Sequence, residues 1–435
     1  MIGAREFARR RRQLMRMIGR DAIAIVPSAP ERVRSNDAHY PYRQDSDLHY
    51  LTGFPEPDAV LALVPGRKHA EEILFCRERD PERERWDGPR VGTEGAVERY
   101  GMDDAFPSAD IDDILPGLIE GRSRIYYHFG RDADFDLKLM GWVNRVRAQV
   151  RQGAVPPHEV VALSHPLHDL RLYKSRAELS LMRQAARISA DAHVRAMRAC
   201  RPGSTGRAIE AELLHAFRTE DAVPAYEPIV GAGANGCVLH YRANSAPLRD
   251  GELLLADAGA EYQCYAADIT RTYPINGRWS TEQRALYEIV LEAQLAAIAE
   301  ARPGRSFIAA HEAALRAITR GLIKLGLLKG SLEANLKSES YRKFFMHKTG
   351  HWLGLDVHDV GDYRIDGAHR ELEPGMVMTV EPGIYIAPDL KGVPPKWRGI
   401  GIRIEDDVVV TKGEPEVITD GVPKDPDEIE KVMRG

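Results

Sequence analysis

The sequence predicts an α+β chain of two domains, a small α/β body over residues 1–172 and a larger catalytic body over residues 173–435. Three observations predict this. A chain of 435 residues exceeds what one hydrophobic core organises. Short β-type runs alternate with helical stretches up to about residue 170, after which long amphipathic helices and acid-bearing strands take over. Pro156, Pro157 and Pro166, with polar neighbours, read as the connection between the two textures.

The elements follow in order. Arg5, Arg9, Arg10, Arg11, Arg12, Arg16 and Arg20 make the first twenty residues strongly basic, interrupted by Glu6. They lack the apolar core and small-residue cleavage site of a signal peptide. Their arginine content also suits a mitochondrial transit peptide. The plainer expectation is a solvated first helix with Phe7, Leu14 and Ile18 facing inward, and hence a cytoplasmic protein. The apolar runs 22–26 and 60–64 predict strands of a largely parallel sheet. Over residues 177–198, Leu181, Ala185, Ile188, Ala192 and Met197 fall on one helical stripe, which Pro202 and Gly203 end. Further helices are expected over 209–217, 282–301 and 307–325. Strands are expected over 252–257, 264–273, 376–386 and 400–411, forming a curved antiparallel sheet under the helices.

Composition narrows the function classes. Hydrophobic residues make up 43% of the chain, too many for a disordered protein. The net charge is only -5, so no global field points to nucleic acid or an anionic membrane. No apolar run approaches the roughly 20 residues that cross a bilayer. Cys76, Cys200, Cys237 and Cys264 form no C-x-x-C pair and are expected as buried small hydrophobes.

Acids in apolar strands carry the chemistry. Asp257 ends a Leu-Leu-Leu-Ala run, and Asp268 follows eleven residues later, across residues 259–263, which carry turn potential. Each alone reads as a strand-end aspartate facing water. Side by side, two carboxylates repel unless a cation lies between them, and burial makes the repulsion worse. Glu381 and Glu405 repeat the pattern, with Arg403 on the same strand face as Glu405. A cation site explains four such acids at once. His347, His351 and His358 cluster beside Gly350 and Gly354. Lys348 stands where a zinc-protease helix needs glutamate, so a loop-and-strand cluster is the better reading. One histidine with four carboxylates suits two divalent ions, manganese before cobalt or zinc, about 3.5–4 Å apart and able to activate a water.

Asp257, Asp268, His351, Glu381 and Glu405, in that order, resemble the five ligands of the pita-bread metallopeptidases, which include methionine aminopeptidase, prolidase and aminopeptidase P. The resemblance runs from Lys174 to the end of the chain. Residues 42–57, from Tyr42 through Asp47 and Gly53 to Pro57, are similar to the first domain of aminopeptidase P. The resemblance implies that Asp268 and Glu405 bridge two metals, that Asp257 binds one, and that His351 and Glu381 complete the other. It implies His240 near the substrate amine and leaving group, and His358 as donor to the tetrahedral intermediate. Glu381 would also carry the proton to the leaving nitrogen. His347, Tyr385 and Arg403 would line a proline pocket, although Arg403 alternatively pairs with a metal-bound carboxylate. Trp86 would reach the pocket across a subunit interface, or else anchor its own loop. Arg364 and Arg370 both fall near a substrate arginine of the family. Lys348 replaces a common glycine, which raises the prospect of strain if its φ is positive.

The implied activity is release of the first residue from peptides with proline second, by a homodimer or homotetramer. Prolidase shares both domains and all ligands but takes dipeptides. A non-catalytic interaction module and a metal-independent, creatinase-like hydrolase remain rivals that the complete ligand set disfavours.

Overall fold

A computed structural model describes residues 2–434, in two compact units that divide between Arg171 and Leu172. In the first unit, helix Ala4–Ile18 turns Leu14, Met15 and Ile18 inward, while Phe7 is half-buried. The helix is not the solvated one expected, because Arg10 and Arg11 are fully buried too. Arg10 donates to the carbonyl of Tyr50 at 2.9 Å, and Arg11 donates to that of Leu51 at 3.0 Å. Both carbonyls lie in the last turn of helix Ser46–Thr52, where helix oxygens lack partners and the dipole favours cations. Arg11 also pairs with Glu72 at 2.6 Å. Periodicity could not see this, since it counts arginine as a surface residue.

The sheet of this unit has six strands in the order Asp104–Pro107, Glu72–Cys76, Val60–Leu63, Ala22–Pro27, Arg124–Tyr127, Glu159–Ala162. It is mixed rather than largely parallel. Val60–Leu63 pairs antiparallel with both Glu72–Cys76 and Ala22–Pro27. The link between 63 and 72 is too short for the crossover that a parallel pair requires.

In the second unit, helix Arg176–Ala199 opens on a capping box from Ser175 and Glu178 and buries Leu181, Ala185, Ile188, Ala192 and Met197. Helices Gly206–Thr219, Thr281–Ala299 and Phe307–Lys324 follow. The strands are antiparallel, as expected, but they do not form one sheet. Leu253–Asp257 lies between Ile229–Ala232 and Thr270–Pro274. Each of the two long runs expected near the end breaks in the middle. One becomes Val377–Val380 and Gly383–Ile386, and the other becomes Ile400–Arg403 and Asp406–Val409. The run expected over 264–273 opens at a tight turn where Gln263 and Cys264 both take positive φ, and it breaks after Ala266 into Tyr265–Ala266 and Thr270–Pro274. Cys264, in that turn, and Cys237 are half-buried, whereas Cys76 and Cys200 are buried as expected, and all four are free. Among the described residues no helix is long and apolar enough to cross a membrane.

Candidate metal centre

The strand breaks place the acids. Asp257 is the last residue of its strand, and Asp268 precedes the partner strand by two residues. Glu381 follows Val377–Val380, and Glu405 precedes Asp406–Val409. A residue at a break is released from strict in-and-out alternation, so carboxylates from different sheets can turn to a common point. Gly350 permits the histidine loop to join them, because a Cβ there would sit 2.0 Å from the carbonyl oxygen of Thr379. The backbone N–H of Glu381 donates to Thr349 O at 2.8 Å, and that of Glu405 to Thr270 O at 3.0 Å.

The result is one cavity of about 390 Å³ whose wall includes Asp257, Asp268, His351, Glu381 and Glu405. Donor atoms of Asp268, His351 and Glu405 lie within 4.8 Å of one another. His351 Nε2 is 3.5 Å from Asp268 and 3.8 Å from Glu381. Its Nδ1 lies 2.9 Å from the carbonyl of Trp352, which fixes the ring with Nε2 turned to the acids. Burial would lower the pKa of this imidazole, but Asp268 and Glu381 raise it to about 9. Burial pushes Glu381 up to about 7, against the pull of His351 and Arg403. Burial also raises Asp257 and Glu405, the latter further through the neighbouring carboxylates. Acids driven toward protonation in this way need a cation to stay ionised. Oxygen-rich donors with one imidazole fit hard or borderline divalent ions.

The other expected residues divide into three groups. His240 and His358 are exposed on the cavity wall, and the His358 ring stands edge-on to His351 at 4.4 Å. His347, Tyr385 and Arg403 form a chain: His347 Nε2 is 2.9 Å from the Tyr385 hydroxyl, and Arg403 Nη1 donates to that hydroxyl at 3.1 Å. Arg403 also donates to Thr270 Oγ1 at 3.0 Å and pairs with Asp257. It therefore contacts a candidate ligand and the Tyr385 hydroxyl at once. Burial lowers His347 to about 3, so its ring is neutral. Arg364 and Arg370 are not part of the cavity wall. Trp86 belongs to the first unit and is 87% exposed. Arg364 is exposed and meets His369, while Arg370 is buried and donates to Tyr173 at 3.1 Å. Lys348 is not among the positive-φ residues, so the strain considered for it does not arise.

Three participants were not anticipated from the sequence. The Tyr226 hydroxyl reaches Asp257 Oδ1 at 2.6 Å and also Asp268 Oδ1. Thr270 donates to Glu405 Oε2 at 2.6 Å. Asp407 accepts the backbone N–H of Asp268 at 3.0 Å. Only Asp407 was detectable, as a third consecutive acid before Val408-Val409-Val410. A second donor group, Asp47 with His128 and His168, lies in the first unit. Its charge is already answered, since Arg171 pairs with Asp47 at 2.7 Å and Arg131 at 3.2 Å. Although burial pushes Asp47 up, Arg171 and the histidines hold it well below the usual carboxylate range. That grouping reads as a structural ion-pair cluster.

Comparison with known proteins agrees with this geometry. Residues 180–412 match Metallopeptidase family M24, and residues 7–126 match the aminopeptidase P N-terminal domain. The chain is 45% identical to the Xaa-Pro aminopeptidase of Escherichia coli K12, over 99% of this chain and 98% of that protein. The structure of Pseudomonas aeruginosa aminopeptidase PepP superposes with a TM-score of 0.99 at 60% identity, over 100% of this chain and 98% of that one. Escherichia coli aminopeptidase P with the inhibitor Pro-Leu superposes with a TM-score of 0.96 at 44% identity, again over 100% and 98%. With acids, histidine and both domain matches in agreement, the chain belongs to metallopeptidase family M24, its second unit carrying the pita-bread fold.

Proposed function

We propose that this chain is a dinuclear-metal Xaa-Pro aminopeptidase, releasing the first residue of peptides with proline second. One observation carries the reading: four carboxylates and an imidazole gather in a cavity whose next neighbours are a neutral histidine, a tyrosine and an arginine able to frame a ring. Asp257, Asp268, His351, Glu381 and Glu405 would hold the ions, manganese being the best match to oxygen-rich donors. When bound, such a pair supplies Lewis acidity, polarising the scissile carbonyl and making water a nucleophile near neutral pH.

The protein's own groups do the rest. Glu381, on the cavity wall within 3.8 Å of His351, would take a proton from the attacking water and return it to the leaving proline nitrogen. His358 donates to the carbonyl oxygen as it gains charge, and His240 orients the peptide near its amine. His347, Tyr385 and Arg403 receive the proline ring. A free N-terminal amine is drawn to the acidic end of the cavity, which sets the exopeptidase register. Trp86, so exposed on its own subunit, suits a role against a second copy, in a dimer or tetramer located in the cytoplasm.

The test is incubation of metal-loaded protein with Arg-Pro-Pro and with Arg-Pro. Free arginine from the tripeptide is the expected product. Cleavage of the dipeptide alone would make the protein a prolidase, and no cleavage with manganese, cobalt or zinc would exclude the reading.

A further inference from the structure

Lys348 lies on the mouth of the metal cavity, directly after His347 in the chain. It is exposed, and among the described residues no acceptor lies within hydrogen-bond or ion-pair distance of its ammonium. The other cations near it are matched. Arg242 faces Glu227 at 3.7 Å on the same rim. Arg342 faces Glu339 at 2.7 Å, beside a second depression of about 60 Å³ that shares His347 and Lys348 with the main cavity. Lys348 thus makes no ion pair of its own on the wall between the two hollows, although the Glu339 carboxylate lies within reach of its field.

We propose that Lys348 selects peptides carrying a carboxylate just beyond the proline. The inference rests on the Xaa-Pro reading: with the ring against His347, the chain leaving it passes beside residue 348. An ammonium without a partner is a ready ion-pair donor there. The carboxylate is either the side chain of an acidic third residue or the free end of a tripeptide.

The test compares Ala-Pro-Asp-amide, Ala-Pro-Lys-amide, Ala-Pro-Ala-amide and Ala-Pro-Ala with a free terminus, using wild type, K348A and K348E. For wild type, KM for a carboxylate-bearing peptide should lie about fivefold below KM for the lysine peptide, with kcat unchanged, the scale of an exposed ion pair gained and a like-charge contact avoided. Added salt should shrink the ratio. K348A should bring it toward one, and K348E should invert it. A gain confined to the aspartate amide assigns the site to side chains, and one confined to the free acid assigns it to chain ends. A wild-type ratio within about twofold, or one unchanged in both variants, overturns the inference while leaving the Xaa-Pro reading intact. Failure to cleave any of the four peptides overturns both.

Discussion

At the scale of single residues, the candidate centre depends on side chains that hold the ligands as much as on the ligands. Tyr226 touches Asp257 and Asp268 through one hydroxyl, and Thr270 connects Glu405 to Arg403. Ligating carboxylates that lose such partners typically lose metal affinity by about 10- to 100-fold. Tyr226→Phe removes the hydroxyl and keeps the ring. It is expected to weaken manganese binding by about tenfold, read by titration calorimetry, with the circular dichroism spectrum unchanged. Unchanged affinity would mean that the two aspartates are positioned by their strands alone. The ligands were legible in the sequence because an ionisable residue in an apolar run violates the pattern around it. Tyr226 was not, because a tyrosine between Ala225 and Glu227 violates nothing.

At the scale of elements, strand Asp406–Val409 sets Glu405 and Asp407 on either side of Asp406. Asp406 anchors the strand from below: Arg271 donates to it at 2.7 Å, Gln294 at 2.7 Å, Lys424 at 2.6 Å and Thr419 at 2.8 Å. Burial would raise its pKa, but Arg271 and Lys424 hold it below the ordinary carboxylate value. Asp406→Asn keeps the shape and strands two cations, which costs about 3–5 kcal/mol. The urea midpoint should fall accordingly with its slope unchanged. A shift near zero would show that water or another acid takes over. The sequence located these strands but ran them through their breaks. Val380-Glu381-Pro382 and Ile404-Glu405-Asp406 look continuous in hydrophobicity, and only pairing partners reveal that each half belongs to a different sheet. The mixed sheet of the first unit was missed for a related reason. Parallel and antiparallel strands buried on both faces have the same apolar composition, and the short link from 63 to 72 was the available clue.

At the scale of the whole molecule, gathering four acids in one cavity makes stability depend on what neutralises them. In metal-depleted protein, Glu381 has a pKa of about 7 against 4.5 for the ordinary group. A raised carboxyl favours the fold fully below the unfolded value and loses that contribution as pH rises through the folded one. Asp257 and Glu405 shift in the same direction. Chelator-treated protein should therefore lose thermal stability between about pH 5 and about pH 8, whereas metal-loaded protein should not. Buried His193 has the opposite sign: its pKa falls to about 4, so acidification below 6.5 destabilises both forms. Parallel melting curves of the two forms across this range would mean that the gathered acids need no cation. The most direct measurement is diffraction from manganese-soaked crystals at the manganese edge. Two anomalous peaks per chain are expected, enclosed by Asp257, Asp268, His351, Glu381 and Glu405. Cleavage of Arg-Pro-Pro by protein with no peak among those five side chains would contradict this expectation.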